Sequence, residues 1–442
     1  MSDSRRKFLK AAGLGSLAFF FLSSCQKLGL SSKKKFKGNV IIIGGGAAGI
    51  YAGYLLKELG IEFTILEASD KMGGRMGKLT GFSDYPIDLG AQWMHGNQSI
   101  VGEFVELFQA DVTLDDTESM YWFENELIPT LPKSVDIFDK DGLPDLSFAD
   151  FAMQKGLSPS YLPIIESLAG DYGADASDLS ARWVYEEEQN WSSGDGDYKF
   201  KETFYDLIFS HFGAQVANNV TVNSIVNTID YSSDKVLVST NSGQQFSADK
   251  VLITVPITIL QSNDISFIPT LPVKKTTAFS EIGMGAGMKV FMKFSTHFYA
   301  DNIIGGTVCA AYFNDAIGKN TTDNVLIAFV MGQQAEALSA MNSDQAIINA
   351  LLAELDAMYN GQASATFLGA FVQDYLKAPF IRGAYSYSKV GMNKNTRAIA
   401  AESVNSCLFF GGEAMNLNGH HQTVHGAIET AYREVMKIMK EA

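Results

Sequence analysis

Asn39-Val40-Ile41-Ile42-Ile43-Gly44-Gly45-Gly46-Ala47-Ala48-Gly49 decides the fold. The run 40–43 is apolar and β-branched, as a strand buried on both faces of a parallel sheet requires. Glycines at 44, 46 and 49 follow it directly in a GxGxxG pattern. Apolar residues then recur at helical spacing over 48–59, and Gly60 marks the stop. Phe63-Thr64-Ile65-Leu66 reads as a second strand, closed by Glu67. Each part has a physical reason. Gly44 permits the tight turn, Gly46 lets a pyrophosphate approach the backbone, and Gly49 lets helix and strand pack closely. Ala47 and Ala48 open a helix whose unpaired N–H groups face the phosphates. Glu67 can accept hydrogen bonds from ribose hydroxyls. A lone GxGxxG is weak evidence, but strand, glycines, helix, strand and acid in register specify a dinucleotide-binding unit.

The residues after Glu67 separate the cofactors. Ala68-Ser69-Asp70-Lys71-Met72-Gly73-Gly74-Arg75 resembles the segment that follows the ribose-binding acid in flavin amine oxidoreductases. Gly74 lets the loop lie against a cofactor, and Arg75 brings a planar fork suited to phosphate or flavin contacts. Further segments resemble the flavin-containing amine oxidase family, which includes monoamine oxidases, polyamine oxidases and lysine-specific histone demethylases. Asp88-Leu89-Gly90-Ala91-Gln92-Trp93-Met94-His95-Gly96 is similar to the segment beside the flavin ring. Thr254-Val255-Pro256, Gly287-Met288-Lys289-Val290 and Gly383-Ala384-Tyr385-Ser386-Tyr387 are similar to later family segments. So are Phe410-Gly411-Gly412-Glu413 and Thr423-Val424-His425-Gly426-Ala427, the closing FAD motif and its helix.

The resemblance implies a Rossmann-like α/β FAD-binding domain, a parallel sheet plus a β-meander, interleaved with an α+β substrate-binding domain. It implies FAD contacts from Gly90, Ala91, Gln92, Trp93, Gly412, Glu413, Thr423 and Val424, with Val226 at the adenine. It implies that Lys289 holds a water beside the flavin and that Tyr385 is an aromatic wall for substrate. His95 is read either as a bond to substrate or water or as a structural histidine. Two departures stand out. Lys201-Glu202-Thr203-Phe204 occupies the place of a usual Gly-Gly pair. Ala384 precedes Tyr385 where monoamine oxidases carry the cysteine that binds flavin, so non-covalent FAD is expected.

The resemblance also implies oxidation of a primary or secondary amine, polyamines included, to an imine, with O2 or another acceptor. An L-amino-acid oxidase would want a carboxylate-binding arginine where Gln92-Trp93-Met94 stands. A desaturase or protoporphyrinogen-type oxidase, and a non-catalytic flavin-binding lipoprotein, are the other readings. Glu186, Glu187 and Glu188 are expected to form a solvated acidic face, with guidance of a cationic tail as the alternative. His420, His421 and His425 sit within the cofactor-helix motif, so no metal is expected there.

The 442-residue chain is too long for one ordinary core, and 46% hydrophobic and 19% charged residues suit a packed globular protein. The boundaries expected are an FAD-binding domain over 38–112, 216–262 and 383–442, and a substrate domain over 113–215 and 263–382. Short strands are expected at 219–223, 226–231, 235–241 and 245–254, and a helix capped by Ser343 at 343–359. A net charge of −15 repels nucleic acid; it is read first as a device for solubility, with concentration of cations such as amines as the alternative. Cys25, Cys309 and Cys407 form no disulfide framework. Residues 1–24 resemble a twin-arginine export signal: Ser4-Arg5-Arg6-Lys7-Phe8-Leu9-Lys10, a short apolar run, then Leu22-Ser23-Ser24-Cys25. Cleavage before Cys25 would leave its thiol for a lipid, with 25–37 as a linker to the folded body. The expected location is therefore periplasmic, or anchored at the envelope membrane.

Overall fold

The computed structural model describes residues 36–138 and 142–440. The export signal, Cys25 and most of the linker lie outside the described residues. The five-stranded parallel sheet is ordered Val220–Thr221, Glu62–Leu66, Asn39–Ile43, Lys250–Ile253, Leu408–Phe410. Ile42 and Ile43 are buried, as a strand covered on both faces requires. The helix Ala47–Glu58 follows Gly44 (φ +106), and Gly60 (φ +69) ends it in the left-handed region. Its close approach depends on Gly49, where a Cβ would fall 1.9 Å from the Gly44 carbonyl oxygen. The long helix Val424–Lys440 packs on the same side, sharing a core of Val40, Ile42, Leu56, Ile428 and Val435.

Three boundaries differ from the sequence reading. Phe36 is buried in this first core, so packing begins inside the expected linker. Phe204, Leu207 and Phe212 also belong to it, although the sequence places 113–215 with the substrate domain. The Phe212 ring packs against the rings of Tyr51 and Phe104. The run 245–254 is two strands in two sheets. Gln245–Ala248 pairs with Val236–Thr240, whereas Lys250–Ile253 joins the parallel sheet. Asp249 turns between them, its side chain accepting from the Asn39 backbone N–H at 2.9 Å.

A second, seven-stranded sheet runs Phe367–Asp374, Gly287–Phe294, Asn324–Met331, Ala311–Asn314, Asn302–Ile304, Ser119–Phe123, Glu126–Ile128. The helix Asp344–Tyr359 covers one face, with Ser343 Oγ accepting from Ala346 N–H as its N-cap. Period-two alternation sends Met288, Val290 and Met292 toward that helix. Lys289 and Phe291 therefore face the opposite way, toward the parallel-sheet lobe.

Candidate active site

Between the lobes lies one cavity of about 1160 Å³. Its first end is built by the glycine turn. Gly46 has open space where a Cβ would stand, with nothing within 4 Å. The helix Ala47–Glu58 has no side-chain cap at Gly46 and no acid in its first turn, so its N-terminal N–H groups remain for an anion. Thr423 and Val424, at the start of the second helix, line the same space. Glu67 Oε2 accepts from Gly45 N–H at 2.6 Å, and Oε1 accepts from Ser69 N–H at 2.8 Å. The Ser69 hydroxyl also donates to Oε1 at 2.7 Å, so these bonds hold the carboxylate against the cavity wall and leave acceptor capacity on Oε2. Ala68, Gly74, Val226 and Gly412 line this end too. Gly49 does not; its part is the helix–strand contact.

Arg75 and Glu413 form the waist. Arg75 Nη1 donates to Glu413 Oε1 at 2.8 Å and to the Ala384 carbonyl at 2.9 Å. Burial alone would raise the Glu413 pKa, but the Arg75 charge, the Ser386 hydroxyl and Gln422 N–H hold it down to about 2. Gly90 crosses beneath Arg75, where a Cβ would fall 1.9 Å from the Arg75 carbonyl oxygen. Ala91, Gln92 and Trp93 continue along the cavity.

At the other end stand the groups expected to do chemistry. Lys289 is only 5% exposed. Its Nζ donates to the Gly90 carbonyl at 2.7 Å and to Gln92 Oε1, and lies 5.4 Å from the Trp93 ring. Burial pushes its pKa down to about 7, against the pull of Asp315 and Asp88. Tyr385 lines the cavity, and its hydroxyl donates to the Gly170 carbonyl at 3.0 Å. The hydroxyl is thus tied back to protein. Gly173 (φ +78) gives the ring room, since a Cβ there would fall 2.5 Å from it. His95 also lines the cavity, with Nδ1 2.6 Å from Asp197 Oδ1.

The sequence reading missed several lining residues. Phe313, Phe329 and Met331 complete an apolar floor beside Trp93. Asp115, Asp116, Asp171, Asp195 and Asp197 line the same end. Only the pairing of distant strands brings them there. The acidic run 186–188 does not join them, which corrects the expected solvated face. Glu186 is exposed and pairs with Arg182. Glu187 turns inward to His421, Arg397 and Ser388, and Glu188 to Tyr172. His420 and His425 serve structural bonds as well, His420 to Glu429 and His425 to Ser193.

Residues 147–439 match the model of a family described as flavin containing amine oxidoreductase. The chain belongs to that family. Residues 42–108 of this flavin-containing amine oxidoreductase also match an NAD(P)-binding Rossmann-like domain. It is 28% identical to human lysine-specific histone demethylase 2 over 90% of this chain and 53% of that protein. It therefore spans about half the length of the curated histone demethylases it matches. It is 29% identical to probable polyamine oxidase 4 of Arabidopsis thaliana, over 88% of this chain and 84% of the relative. A solved putrescine oxidase bound to putrescine shares the fold at a TM-score of 0.79 and 18% identity, covering 92% of this chain and all of that one. The cofactor of this flavin amine oxidoreductase is FAD. The open space over Gly46, the two helix starts and the anchored Glu67 carboxylate fit its pyrophosphate and ribose.

Proposed function

We propose that this protein is an amine oxidase that oxidises the C–N bond of a primary or secondary amine, polyamines among them, to an imine, with O2 as acceptor and H2O2 as product. The reading rests on Lys289, a buried cation held among Gly90, Gln92, Trp93 and Phe329 at the end of the cofactor cavity. Relatives named polyamine oxidase, and solved neighbours named putrescine oxidase and cyclohexylamine oxidase, support an amine as substrate.

Gly44, Gly46, Ala47, Ala48 and Glu67 would hold the pyrophosphate and ribose of FAD, and Arg75, Gly90, Ala91, Gln92 and Trp93 its ring end. Gly49 shapes the turn, and Ala68, Gly74, Val226, Gly412, Glu413, Thr423 and Val424 close the sleeve. The attachment is non-covalent, since Ala384 cannot bond the ring. When bound, FAD accepts the electrons and hydrogen leaving the carbon beside nitrogen. Phe313, Phe329, Met331 and Tyr385 exclude water and favour the neutral amine. Lys289 orders a water in this floor.

The N-terminal motifs support export by the twin-arginine route and a lipid on Cys25 that tethers the enzyme to the membrane. The test of the oxidase reading is anaerobic mixing of purified protein, from residue 36 onward, with a panel of amines. Bleaching of the yellow flavin by at least one amine is expected, and colour unchanged across the panel would reject it.

A further inference from the structure

Beside the main cavity lies a small chamber of about 20 Å³, lined by Tyr172, Glu187, Glu188, Trp191, His421 and Gln422. That volume suits one particle the size of a water molecule. Trp191 and Gln422 line the main cavity as well, so they stand between the two spaces. Two helices end at the chamber. Ala181–Glu188 brings Glu187 and Glu188 in its last turn, and Leu162–Asp171 runs out at Tyr172. Neither has a basic residue in its last turn, so neither covers the negative end of its own dipole. Trp191 is fixed in place. Its Nε1 donates to the Gly194 carbonyl at 3.1 Å, and its ring meets those of His420 and His425 edge-on. His421 is only 6% exposed, and among the described residues no group bonds its Nδ1.

We propose that this chamber is a binding site for a single ammonium ion. The donors around it are spent on protein. The Tyr172 hydroxyl donates to Glu188, Gln422 Nε2 to the Tyr172 carbonyl at 2.6 Å, and Trp191 Nε1 to Gly194. The acceptors remain. Burial would raise the Glu187 pKa, but His421, Arg397 and the Ser388 hydroxyl hold it down to about 2. Glu187 is therefore a carboxylate and only accepts, so His421 Nε2, 3.2 Å from its Oε2, carries the hydrogen. Nδ1 of the neutral ring then offers a lone pair, beside the Glu188 carboxylate. A water bound by two acceptors would keep two lone pairs with no donor, whereas ammonium has four donors and no lone pair. The Trp191 ring on the wall suits a cation. Charge agrees with this. Arg397 Nε, 3.3 Å from Glu187, balances one of the two carboxylates and leaves the other. The remaining charged neighbours are engaged: His420 with Glu429 on the same loop, and Glu413, which accepts from Gln422 N–H, with Arg75. A proton on His421 Nδ1 would meet the same need, so proton and ammonium compete. Hydrolysis of an imine made from a primary amine replaces C=N by C=O and frees ammonia, which takes one proton from water. That source of the ion rests on the amine-oxidation reading; the site itself does not.

Binding is measured with no amine substrate present. 15N-ammonium chloride is titrated into the FAD-loaded protein at constant ionic strength, and the 1H–15N NMR signal of bound ammonium is followed. One saturable signal is expected, displaced by potassium chloride, whose cation is of similar size, and not by lithium chloride. Glu188→Gln should weaken binding by at least about tenfold. Affinity should fall as pH drops from about 8 to 5, and His421→Gln should flatten that dependence. Absence of a saturable signal, or equal displacement by lithium, would overturn the proposal and leave water as the occupant. So would wild-type affinity in a Glu188→Gln protein with a native flavin spectrum, or a wild-type affinity that ignores pH. If Glu188→Gln does not fold, the competition and pH measurements on the wild type decide. Turnover of a 15N-labelled primary amine should then fill the same signal. A protein that binds ammonium chloride but oxidises no primary amine would sink the source of the ion and keep the site.

Discussion

Lys289 Nζ donates to the Gly90 carbonyl oxygen at 2.7 Å, joining the strand Gly287–Phe294 of the larger sheet to the segment that passes under Arg75. The bonded residues are 199 positions apart, and Nζ also donates to Gln92 Oε1 in the same segment. Lys289→Met should leave FAD bound. Flavin reduction by amine, or reoxidation by oxygen, should slow by at least about tenfold, a barrier change of about 1.4 kcal/mol. Stopped-flow flavin absorbance in both half-reactions checks this, and wild-type rates in both would remove Lys289 from the chemistry.

The same lysine carries a pH signature. Burial lowers its folded pKa to about 7, below the ordinary lysine value of 10.5 in the unfolded chain. Between these values the unfolded state binds more protons than the folded state, so stability rises with pH across that window. Wild type should therefore gain stability relative to Lys289→Met as pH climbs from about 7 toward 10. Denaturant melts of both proteins across that range measure the difference; parallel curves would refute the depressed value.

Glu67→Ala should weaken FAD binding, since each charge-assisted hydrogen bond contributes roughly 1.5–3 kcal/mol. The loss goes beyond any ribose contact. Gly45 N–H and Ser69 N–H would also lose their acceptor, and the glycine turn its anchor. Glu67→Gln keeps one acceptor oxygen and should fall between. Flavin fluorescence titration of the apoprotein gives the three dissociation constants, and an unchanged value for Glu67→Ala would contradict the ribose role.

The parallel-sheet lobe was legible because its signals are local. Residues 40–49 state strand, turn and helix within ten positions, and the period is unambiguous. Lys289 was legible only through resemblance, because a lysine in an apolar strand reads equally as a surface charge. Asp115, Asp197, Phe313 and Phe329 were not legible, since their place depends on register between strands far apart in sequence. Asp197 meets His95 because Trp93 pairs with Lys199, and no short-range pattern encodes that pairing. Glu187 misled for a related reason. Three consecutive acids on a helix suggest solvent, but the helix Ala181–Glu188 turns the middle one toward Arg397 and His421.

The proposed export and lipid anchor are tested apart from folding. Arg5→Lys with Arg6→Lys should retain the protein in the cytoplasm with FAD bound. Cys25→Ser should abolish lipidation and release the enzyme from the membrane without changing its flavin spectrum. Fractionation with labelled palmitate reads both, and normal membrane attachment of the Cys25→Ser protein would reject the lipid anchor.

Glu413 ties the cofactor cavity to the segment that carries Tyr385. Its Oε1 accepts from Arg75, and its Oε2 accepts from the Ser386 hydroxyl at 2.7 Å and from Gln422 N–H at 2.9 Å. Ser386 Oγ accepts in turn from Arg397 Nη1 at 3.0 Å. Burial raises the Glu413 pKa, but Arg75 and these donors outweigh it and hold the group at about 2, against 4.5 for an ordinary glutamate. A depressed carboxylate stabilises the fold above its unfolded pKa, and that contribution is lost as pH falls through the folded value. The window is therefore about pH 4.5 down to 2. Across it the wild type should lose stability on the order of 3 kcal/mol from this group. Glu413→Gln should be less stable at neutral pH, because Arg75 loses its negative partner. Its stability should then vary less between pH 4.5 and 2. Chemical denaturation of both proteins at pH 7, 4.5 and 3 makes the comparison. If the two lose stability in parallel below pH 4.5, Glu413 does not carry the acid sensitivity. If FAD affinity also drops in Glu413→Gln while the fold holds at pH 7, the carboxylate acts on the cofactor through Arg75, whose guanidinium lines the cavity.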